Sequence, residues 1–456
     1  MARASILDRA ALTPRLLLAF GLLLLLMTGT LYHWFQFPAL PANDDALFLS
    51  RGVGRFSVIE FSPHFPGYAG LVLFVKSLRG LFSSDYQALH VVVLMLTSMI
   101  PVAVFFILNT LQVERFVSLT VAAMLYLQPL LVSVALSGLS DGPGVLIWLL
   151  ALQYLLKAKP GLSGFFSGVM LTVRPSYLFL LLPLIGFLMV QHKRRIALIF
   201  MAAALPLLVS IVYMYSKDGL ALFEEAFRFI KGHFLVWGNT ALNEADRSSW
   251  WPVLADYFGG EWRVIVLSLL MLLSCCLVWI KQQNTHCLIL SFISILVWTL
   301  LFQNPDNLRH FLPVLILGGM IIALLISPLA ALFGRFRLAL ALIVVVYSLL
   351  QTSRLQVSPP AIQQALLWIS EQSDSGRYER VIVTNEGVEL SREYQSKRRV
   401  ADAWYRQQAD WLYNGGAWRM SYTRLDLYGA PVAVFPRRLE GEHATYVYHI
   451  SARDDE

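Results

Sequence analysis

Residues 16–35 read LLLAFGLLLLLMTGTLYHWF, and a short Pro-containing segment then leads to the polar run Asn43-Asp44-Asp45. The apolar run is long enough to cross the roughly 30 Å hydrocarbon layer of a bilayer. Three arginines precede it, and positive charge before a first span favours a cytoplasmic N-terminus. It is too long for the apolar core of a signal peptide, so it predicts a retained span with an acid pair just outside the membrane.

Composition supports the same class of protein. The chain has 456 residues, of which 57% are hydrophobic and 14% charged, and its mean hydropathy is +0.61. These values are typical of an integral membrane protein. Cys275, Cys276 and Cys287 lie in or beside apolar segments and show neither a disulfide framework nor metal-ligand spacing, so we interpret them as packing residues.

The net charge of +7 has a simple explanation in membrane insertion. Up to residue 352 the chain has 23 Lys and Arg against 15 Asp and Glu, and from residue 353 it has 13 against 14. The basic excess therefore lies in the membrane half, largely on loops predicted to face the cytoplasm. We expect no nucleic-acid partner.

Further apolar segments bring the predicted number of spans to about eleven. If the spans alternate from a cytoplasmic N-terminus, the basic loops all face the cytoplasm only on one condition. Residues 161–191 must form a tight hairpin of two short helices that turns at Val173-Arg174-Pro175-Ser176. The other predicted spans are 90–111, 116–135, 143–156, 196–215, 264–280, 288–302, 311–326 and 338–350.

The sequence thus predicts an all-α polytopic membrane domain over 1–352 and a small soluble α/β domain over 353–456, outside the cytoplasm. The membrane domain has an outer loop at 36–89 with juxtamembrane helices and an aromatic-rich outer loop at 216–262. In the second domain we expect a helix over 361–370 and strands over 380–384, 431–435 and 445–450. We expect an integral protein of a bacterial inner (plasma) membrane whose partners include membrane lipids.

The predicted topology brings residues of both charge signs to the outer mouth of the helix bundle. Any one of them has a structural explanation, such as helix capping or interfacial anchoring. Together they suit group transfer, which needs a base near a hydroxyl and cations near a phosphate leaving group. The set is Asp44, Asp45, His64, Asp141, Arg174, Arg309 and His310.

The motifs around these residues resemble those of a known family. Asp44-Asp45-Ala46-Leu47-Phe48 and His64-Phe65-Pro66-Gly67-Tyr68 resemble the Asp-Glu-x-x-Tyr and His-Pro-Pro-x-Tyr patterns of GT-C glycosyltransferases, which include protein O-mannosyltransferases and lipid A aminoarabinose transferases. Ser140-Asp141, Thr172-Val173-Arg174-Pro175 and Arg309-His310-Phe311 continue the likeness in order. The resemblance covers most of residues 1–352.

This resemblance implies a GT-C fold and transfer of a sugar, with inversion, from a polyprenyl-phosphate donor to a hydroxyl of a glycan, lipid or protein acceptor. By position, Asp44 is the expected base and Asp45 the second acidic residue, while His64, Tyr68, Asp141 and His310 fall in the substrate-binding motifs. Arg174 and Arg309 are our candidate phosphate contacts. Asp45 is shorter than the family's common Glu, and Phe65 replaces the first Pro after His64.

Three alternatives stay open at this point. Asp44, Asp45 and Asp141 are candidate ligands of a divalent cation, or the site holds no metal. The chain is alternatively a transporter or flippase for a lipid-linked sugar, although its spans lack the mid-membrane ionisable residues and repeated halves usual in transporters. It is alternatively a noncatalytic envelope assembly protein.

Overall fold

The computed structural model describes residues 27–238, 240–241, 249–281, 285–331, 355–372, 381–404 and 416–450, with isolated positions at 21, 25, 339, 342–343, 346–347 and 349–350. Residues 27–34 are helical. Most of the remainder of the predicted first span, and much of the predicted span at 338–350, lie outside the described residues.

The described part of the first 331 residues is almost entirely helical. Its α-helices are α1 (Asp44–Gly54), α2 (Ala69–Leu78), α3 (Asp85–Ser98), α4 (Ile100–Thr110), α5 (Arg115–Tyr126), α6 (Pro129–Leu136), α7 (Asp141–Leu156), α8 (Pro160–Val173), α9 (Leu178–Gln191), α10 (Ile196–Asp218), α11 (Ala221–Gly232), α12 (Trp250–Phe258), α13 (Glu261–Lys281), α14 (His286–Phe302) and α15 (Leu312–Ile326). A π-helical turn, His233–Trp237, follows α11.

Helices long and apolar enough to cross a membrane are present, so the chain is an integral membrane protein. Among the described residues there are four such helices, or five if the pair α5 and α6, bent by 55°, is one span. The predicted number of eleven spans is not confirmed, because α7, α8, α9 and α14 are apolar but shorter.

Local sequence explains where several helices begin and end. The side chain of Asn43 caps α1 by accepting a hydrogen bond from the backbone N of Ala46 at 3.0 Å. Pro160 begins α8, where its missing N–H costs nothing. The helix stops at Arg174 because Pro175 disfavours helical geometry in the residue before it.

The predicted turn after Val173 is therefore present, but the helices on either side of it diverge. Helix α8 packs mainly between α7 and α10, whereas α9 packs mainly against α14. Gly164 and Gly168 allow α10 to approach closely, since a Cβ at these positions would lie 2.5 Å from the carbonyl oxygen of Ile199 and 2.1 Å from that of Ala203. This packing holds the end of α8, and with it Arg174, in place.

The C-terminal region contains a five-stranded sheet in the order β2-β1-β3-β5-β4, in which β1 is parallel to both neighbours and β3, β5 and β4 are antiparallel. The strands are β1 (Val381–Thr384), β2 (Arg399–Asp402), β3 (Ala417–Ser421), β4 (Ala433–Phe435) and β5 (Thr445–Ile450), and the helices are α16 (Ala361–Glu371) and α17 (Val388–Tyr394). Helix α16 and strands β1, β4 and β5 confirm the predicted elements, with Arg380 outside the described residues. Strands β2 and β3 were not predicted.

This C-terminal sheet region packs against the loop that follows the first apolar run. Gln363 of α16 donates a hydrogen bond to the carbonyl oxygen of Pro41 at 3.0 Å. The guanidinium of Arg438 lies 5.7 Å from the ring centroid of Phe37. The two regions thus meet beside the start of α1.

Candidate functional site

The buried part of the site is an ion pair between Asp141 and Arg174. Asp141 begins α7 and its side chain is 0% exposed, and Arg174 follows α8 with 9% of its side chain exposed. Arg174 Nη2 lies 2.8 Å from Asp141 Oδ1, and Arg174 Nη1 donates to the hydroxyl of Ser140 at 3.2 Å. These contacts fix the direction in which the guanidinium points.

Two neighbouring residues extend this pair towards the surface. His310 Nδ1 lies 3.5 Å from Asp141 Oδ1. Arg309 joins two carboxylates, because its Nε lies 3.7 Å from Asp141 Oδ2 and its Nη2 lies 3.0 Å from Asp45 Oδ2. Asp45, Asp141, Arg174, Arg309 and His310 therefore form one connected charge cluster.

Asp45 is the accessible carboxylate of the cluster, with 42% of its side chain exposed. Burial alone raises the pKa of Asp45, but the surrounding positive charges, His64 when protonated and then Arg309 and Arg174, outweigh it. The pKa of Asp45 consequently lies below its ordinary value of 3.8. Asp45 is an ionised hydrogen-bond acceptor at neutral pH.

His64 and Tyr68 stand beside this carboxylate. His64 Nδ1 lies 3.9 Å from Asp45 Oδ1, and the hydroxyl of Tyr68 lies 3.4 Å from His64 Nε2. Burial lowers the pKa of His64 below its ordinary 6.5 and raises the pKa of Tyr68 to about 12, so both rings are neutral at pH 7. If Tyr68 donates to Nε2, the other imidazole nitrogen carries the proton that faces Asp45.

Asp44 points away from this cluster. Its Oδ1 accepts a hydrogen bond from the backbone N of Leu390, in the first turn of α17, at 2.9 Å. Burial raises the pKa of Asp44 to about 6, although backbone hydrogen bonds from Leu390 and Glu389 act in the opposite direction. The two neighbouring acids are in different environments because consecutive helical residues point about 100° apart.

A cavity of about 570 Å³ opens in front of Asp45, and its wall contains two chemically distinct kinds of side chain. The polar and charged ones include Asp45, His64, Tyr68, Arg174, Asn307, Arg309 and His310. The apolar ones, most of them aromatic, include Leu178, Phe179, Phe229, Ile230, Phe234 and Trp298. We call this space the amphipathic cavity; neither Asp44 nor Asp141 lines it.

These residues are poorly suited to bind a metal ion. Asp45 and Asp141 are engaged by arginines, and Asp44 is engaged by the backbone of α17. Within the described ranges no group of three or more His, Cys, Asp or Glu side chains is close enough together to hold a metal ion. The donor set does not fit the divalent site considered from the sequence, and we derive no step through a metal.

The structure adds cavity residues that the motifs did not single out. Phe229 stacks on His64 with a centroid distance of 5.4 Å, and Phe179 stacks on Trp298 at 4.1 Å. The aromatic density of the predicted outer loop 216–262 was a signal for Phe229 and Phe234, although it did not single out which of its rings line a cavity. For Phe179 and Trp298, inside apolar helices, no sequence signal distinguishes a cavity wall from packing.

Comparisons with known proteins give a similarity in structure alone. No protein-family model matches the chain, and no curated protein matches it. Two solved structures that resemble it are the Archaeoglobus fulgidus oligosaccharyltransferase, in complex with Zn and sulfate, and ArnT from Cupriavidus metallidurans in the apo state.

The oligosaccharyltransferase is 10% identical with a TM-score of 0.45, and the match covers 83% of this chain and 64% of that one, less than two thirds of its length. ArnT is 12% identical with a TM-score of 0.45, and the match covers 94% of this chain and 98% of that one. Both structures are GT-C glycosyltransferases, the family that the sequence motifs of this chain resemble.

Proposed function

We propose that this chain is an inverting membrane glycosyltransferase that moves a sugar from a polyprenyl-phosphate donor to an acceptor hydroxyl. In this proposal the reaction takes place on the extracytoplasmic face of a bacterial inner membrane, with the N-terminus in the cytoplasm and the C-terminal domain, from about residue 353, outside. The observation that carries the proposal is that Asp45 and Arg174 face one amphipathic cavity.

The chemistry of the cavity supports a lipid-linked donor. A polyprenyl phosphate joins a long apolar chain to a single anionic group, and the wall of the cavity combines aromatic rings with two guanidiniums. The buried carboxylate of Asp141 holds Arg174 in its orientation, so this cation is ready for a phosphate without reorganisation.

Helix α11 supports entry from the membrane. Its residues Phe223 and Phe227 are 55% and 72% exposed, whereas Phe229 lines the cavity. An amphipathic helix with such a surface lies in the bilayer interface. One side of the helix thus contacts lipid while the other forms the wall where the apolar chain of the donor would lie.

The reaction step assigns each group a role. The acceptor oxygen forms a bond to the anomeric carbon as the bond from that carbon to the phosphate oxygen breaks, and the leaving polyprenyl phosphate keeps the electron pair. The hydroxyl proton moves to Asp45, which acts as the general base. Arg174 and Arg309 stabilise the charge on the leaving phosphate.

This proposal gives the role of the base to Asp45. The family pattern implies Asp44 instead. Asp45 is ionised, lines the cavity and is 42% exposed. Arg309, at 3.0 Å, holds that carboxylate before the donor enters. In the complex with the sugar donor, Arg309 would divide its N–H groups between Asp45 and the phosphate. Lone pairs of the Asp45 carboxylate would then be free to accept a hydrogen bond from the acceptor hydroxyl.

The test is mass spectrometry of envelope glycans and glycolipids from a strain that lacks the gene, compared with the same strain carrying the intact gene. We expect the loss of one sugar substituent, its return with the intact gene, and no return with the Asp45→Asn variant expressed at an equal level. Unchanged glycans and glycolipids in the deletion strain would contradict the proposal and favour transport or assembly.

Donor recognition can be tested separately on purified protein. Polyprenyl phosphate should raise the thermal unfolding midpoint, because a ligand that binds only the folded state stabilises it. The matched polyprenol, which has the same chain but no phosphate, should do so much less. Equal effects of the two lipids would contradict a phosphate site at Arg174 and Arg309.

A further inference from the structure

Helix α1 is packed between the two regions of the molecule, and its faces belong to different cores. Leu47 is buried in an apolar cluster with Ile362, Leu366 and Trp418 of the C-terminal region. Ala46, Leu49 and Val53 are buried in an apolar cluster of the membrane half. Helix α1 therefore contributes residues to both clusters.

Charged contacts follow the face that carries Leu47. Asp44 accepts from the backbone N of Leu390 at 2.9 Å. Arg51 reaches two carboxylates of α17, since its Nη1 lies 3.1 Å from Glu389 and its Nη2 lies 2.8 Å from Glu393. Positions 44, 47 and 51 recur at helical spacing, so they form one stripe along α1 that faces α17.

We propose that the C-terminal domain is a positioning element for Asp45, and that Asp44, Leu47 and Arg51 are the positioning residues through which it acts. The inference rests on the role of Asp45 in the proposed function. Asp45 is the residue after Asp44 in the first turn of α1, so the contacts that fix Asp44 also fix the backbone that carries the base.

The expected consequence is kinetic because a base tolerates little displacement. A misplacement of about 1 Å can reduce a rate by about a hundredfold, although a partly exposed salt bridge such as that of Arg51 contributes little to folding stability. Weakening the contacts that Asp44, Leu47 and Arg51 make with the C-terminal region should therefore lower kcat. The amphipathic cavity, and with it the KM for the donor, should remain unchanged. A residue that only stabilised the fold would not produce this separation.

The experiment compares Arg51→Ala with Arg55→Ala in the full-length protein. Arg55 is one helical turn further on, and it pairs at 2.7 Å with Glu60 of its own loop instead of with α17. Two quantities are measured: amide hydrogen exchange over residues 44–54, and the kcat and donor KM of sugar transfer. Exchange needs no substrate, so it reports on α1 independently of the reaction.

For Arg51→Ala we expect faster exchange over residues 44–54 and a kcat lower by roughly tenfold, with donor KM unchanged. Arg55→Ala should change neither quantity. Arg51→Glu should lower kcat further because it places a carboxylate against Glu389 and Glu393, and adding Glu393→Arg should restore part of the loss.

The outcomes separate this inference from the proposed function. Wild-type protein that transfers no sugar contradicts the proposed function, whatever the exchange data. Wild-type transfer combined with an unchanged kcat in Arg51→Ala, or with unchanged exchange over residues 44–54, overturns the positioning role alone. Failure of Glu393→Arg to recover any activity in Arg51→Glu also counts against it.

Discussion

Asp44 and Asp45 are consecutive residues whose carboxylates contact different regions of the protein. Asp44 accepts a hydrogen bond from Leu390 of the C-terminal region at 2.9 Å, and Asp45 faces Arg309 of the membrane half at 3.0 Å. The acid pair therefore has two separable roles, one in domain contact and one at the amphipathic cavity.

Substitution of each acid by its amide should distinguish these roles. Asp45→Asn removes the base and should lower kcat by about 10²–10⁴-fold. Asp44→Asn keeps a side-chain oxygen that accepts from Leu390, so it should retain most of the activity, whereas Asp44→Leu should lose much of it. Transfer assays on matched membrane preparations measure this. Activity retained by Asp45→Asn but lost in Asp44→Asn would return the base role to Asp44.

The ion pair of Asp141 and Arg174 should dominate local stability. Asp141→Asn leaves the guanidinium of Arg174 without its carboxylate at a site where Asp141 is 0% exposed. Breaking a buried pair in this way costs about 3–5 kcal/mol. Arg174→Gln should also destabilise the protein, but less, since Asp141 loses its nearest cation and keeps Arg309 at 3.7 Å.

The double variant provides the control for this pair. Asp141→Asn with Arg174→Gln leaves no uncompensated charge, so its destabilisation should fall short of the sum of the single effects by at least about 1 kcal/mol. Denaturation of the purified protein in detergent gives the three values. Additive effects would mean that the two side chains do not interact energetically.

How far the sequence predicts this molecule depends on the range of the interactions involved. Apolar runs and local signals such as Pro175 act within a few residues, and where the structure describes the segments that they predict, those segments are helical. The orientation of Asp44 depends on Leu390, 346 positions away. A pattern read along one segment cannot reveal that contact.

The strands that were missed have a similar explanation. Strands β2 and β3 contain four and five residues and flank β1 in parallel, so their partners are distant in sequence. Arg399-Val400-Ala401-Asp402 and Ala417-Trp418-Arg419-Met420-Ser421 show only weak alternation of apolar and polar residues. Their structure is stabilised by the sheet and not by local propensity.

Removal of an aromatic ring from the cavity wall should weaken donor binding in proportion to the length of the lipid. Phe229→Ala removes a ring that lines the cavity, and burial of a Phe side chain is worth about 1.5–3 kcal/mol. We expect KM for a long-chain donor to rise roughly tenfold. A short-chain analogue, which makes few apolar contacts with the cavity wall, should be affected little.

Phe227→Ala is the matched control for this prediction. Phe227 is on the same helix α11 but is 72% exposed and does not line the cavity. It should leave KM for both donors near the wild-type value. Equal increases for long and short donors in Phe229→Ala would indicate that the ring supports His64, on which it stacks, and not the lipid chain.

Asp44 should also make stability depend on pH between about 4 and 6. Its pKa is about 6 in the folded protein against an ordinary 3.8, so the folded state binds a proton that the unfolded state has already released in this interval. Stability must then fall as pH rises through it, by up to about 3 kcal/mol for a shift of about two units. Asp44→Asn cannot titrate and should lose this component.

The measurement is the unfolding midpoint of wild type and Asp44→Asn at a series of pH values from 4 to 7. Because other groups titrate equally in both proteins, the difference between the two curves isolates Asp44. The wild type should lose stability relative to the variant as pH rises, and the difference should level off above about pH 6, where the folded-state carboxyl is ionised. Parallel curves would show that contact with α17 leaves the pKa of Asp44 at its ordinary value. If the wild type instead gained stability relative to the variant as pH rises, the hydrogen bond from Leu390 would outweigh the effect of burial on this pKa.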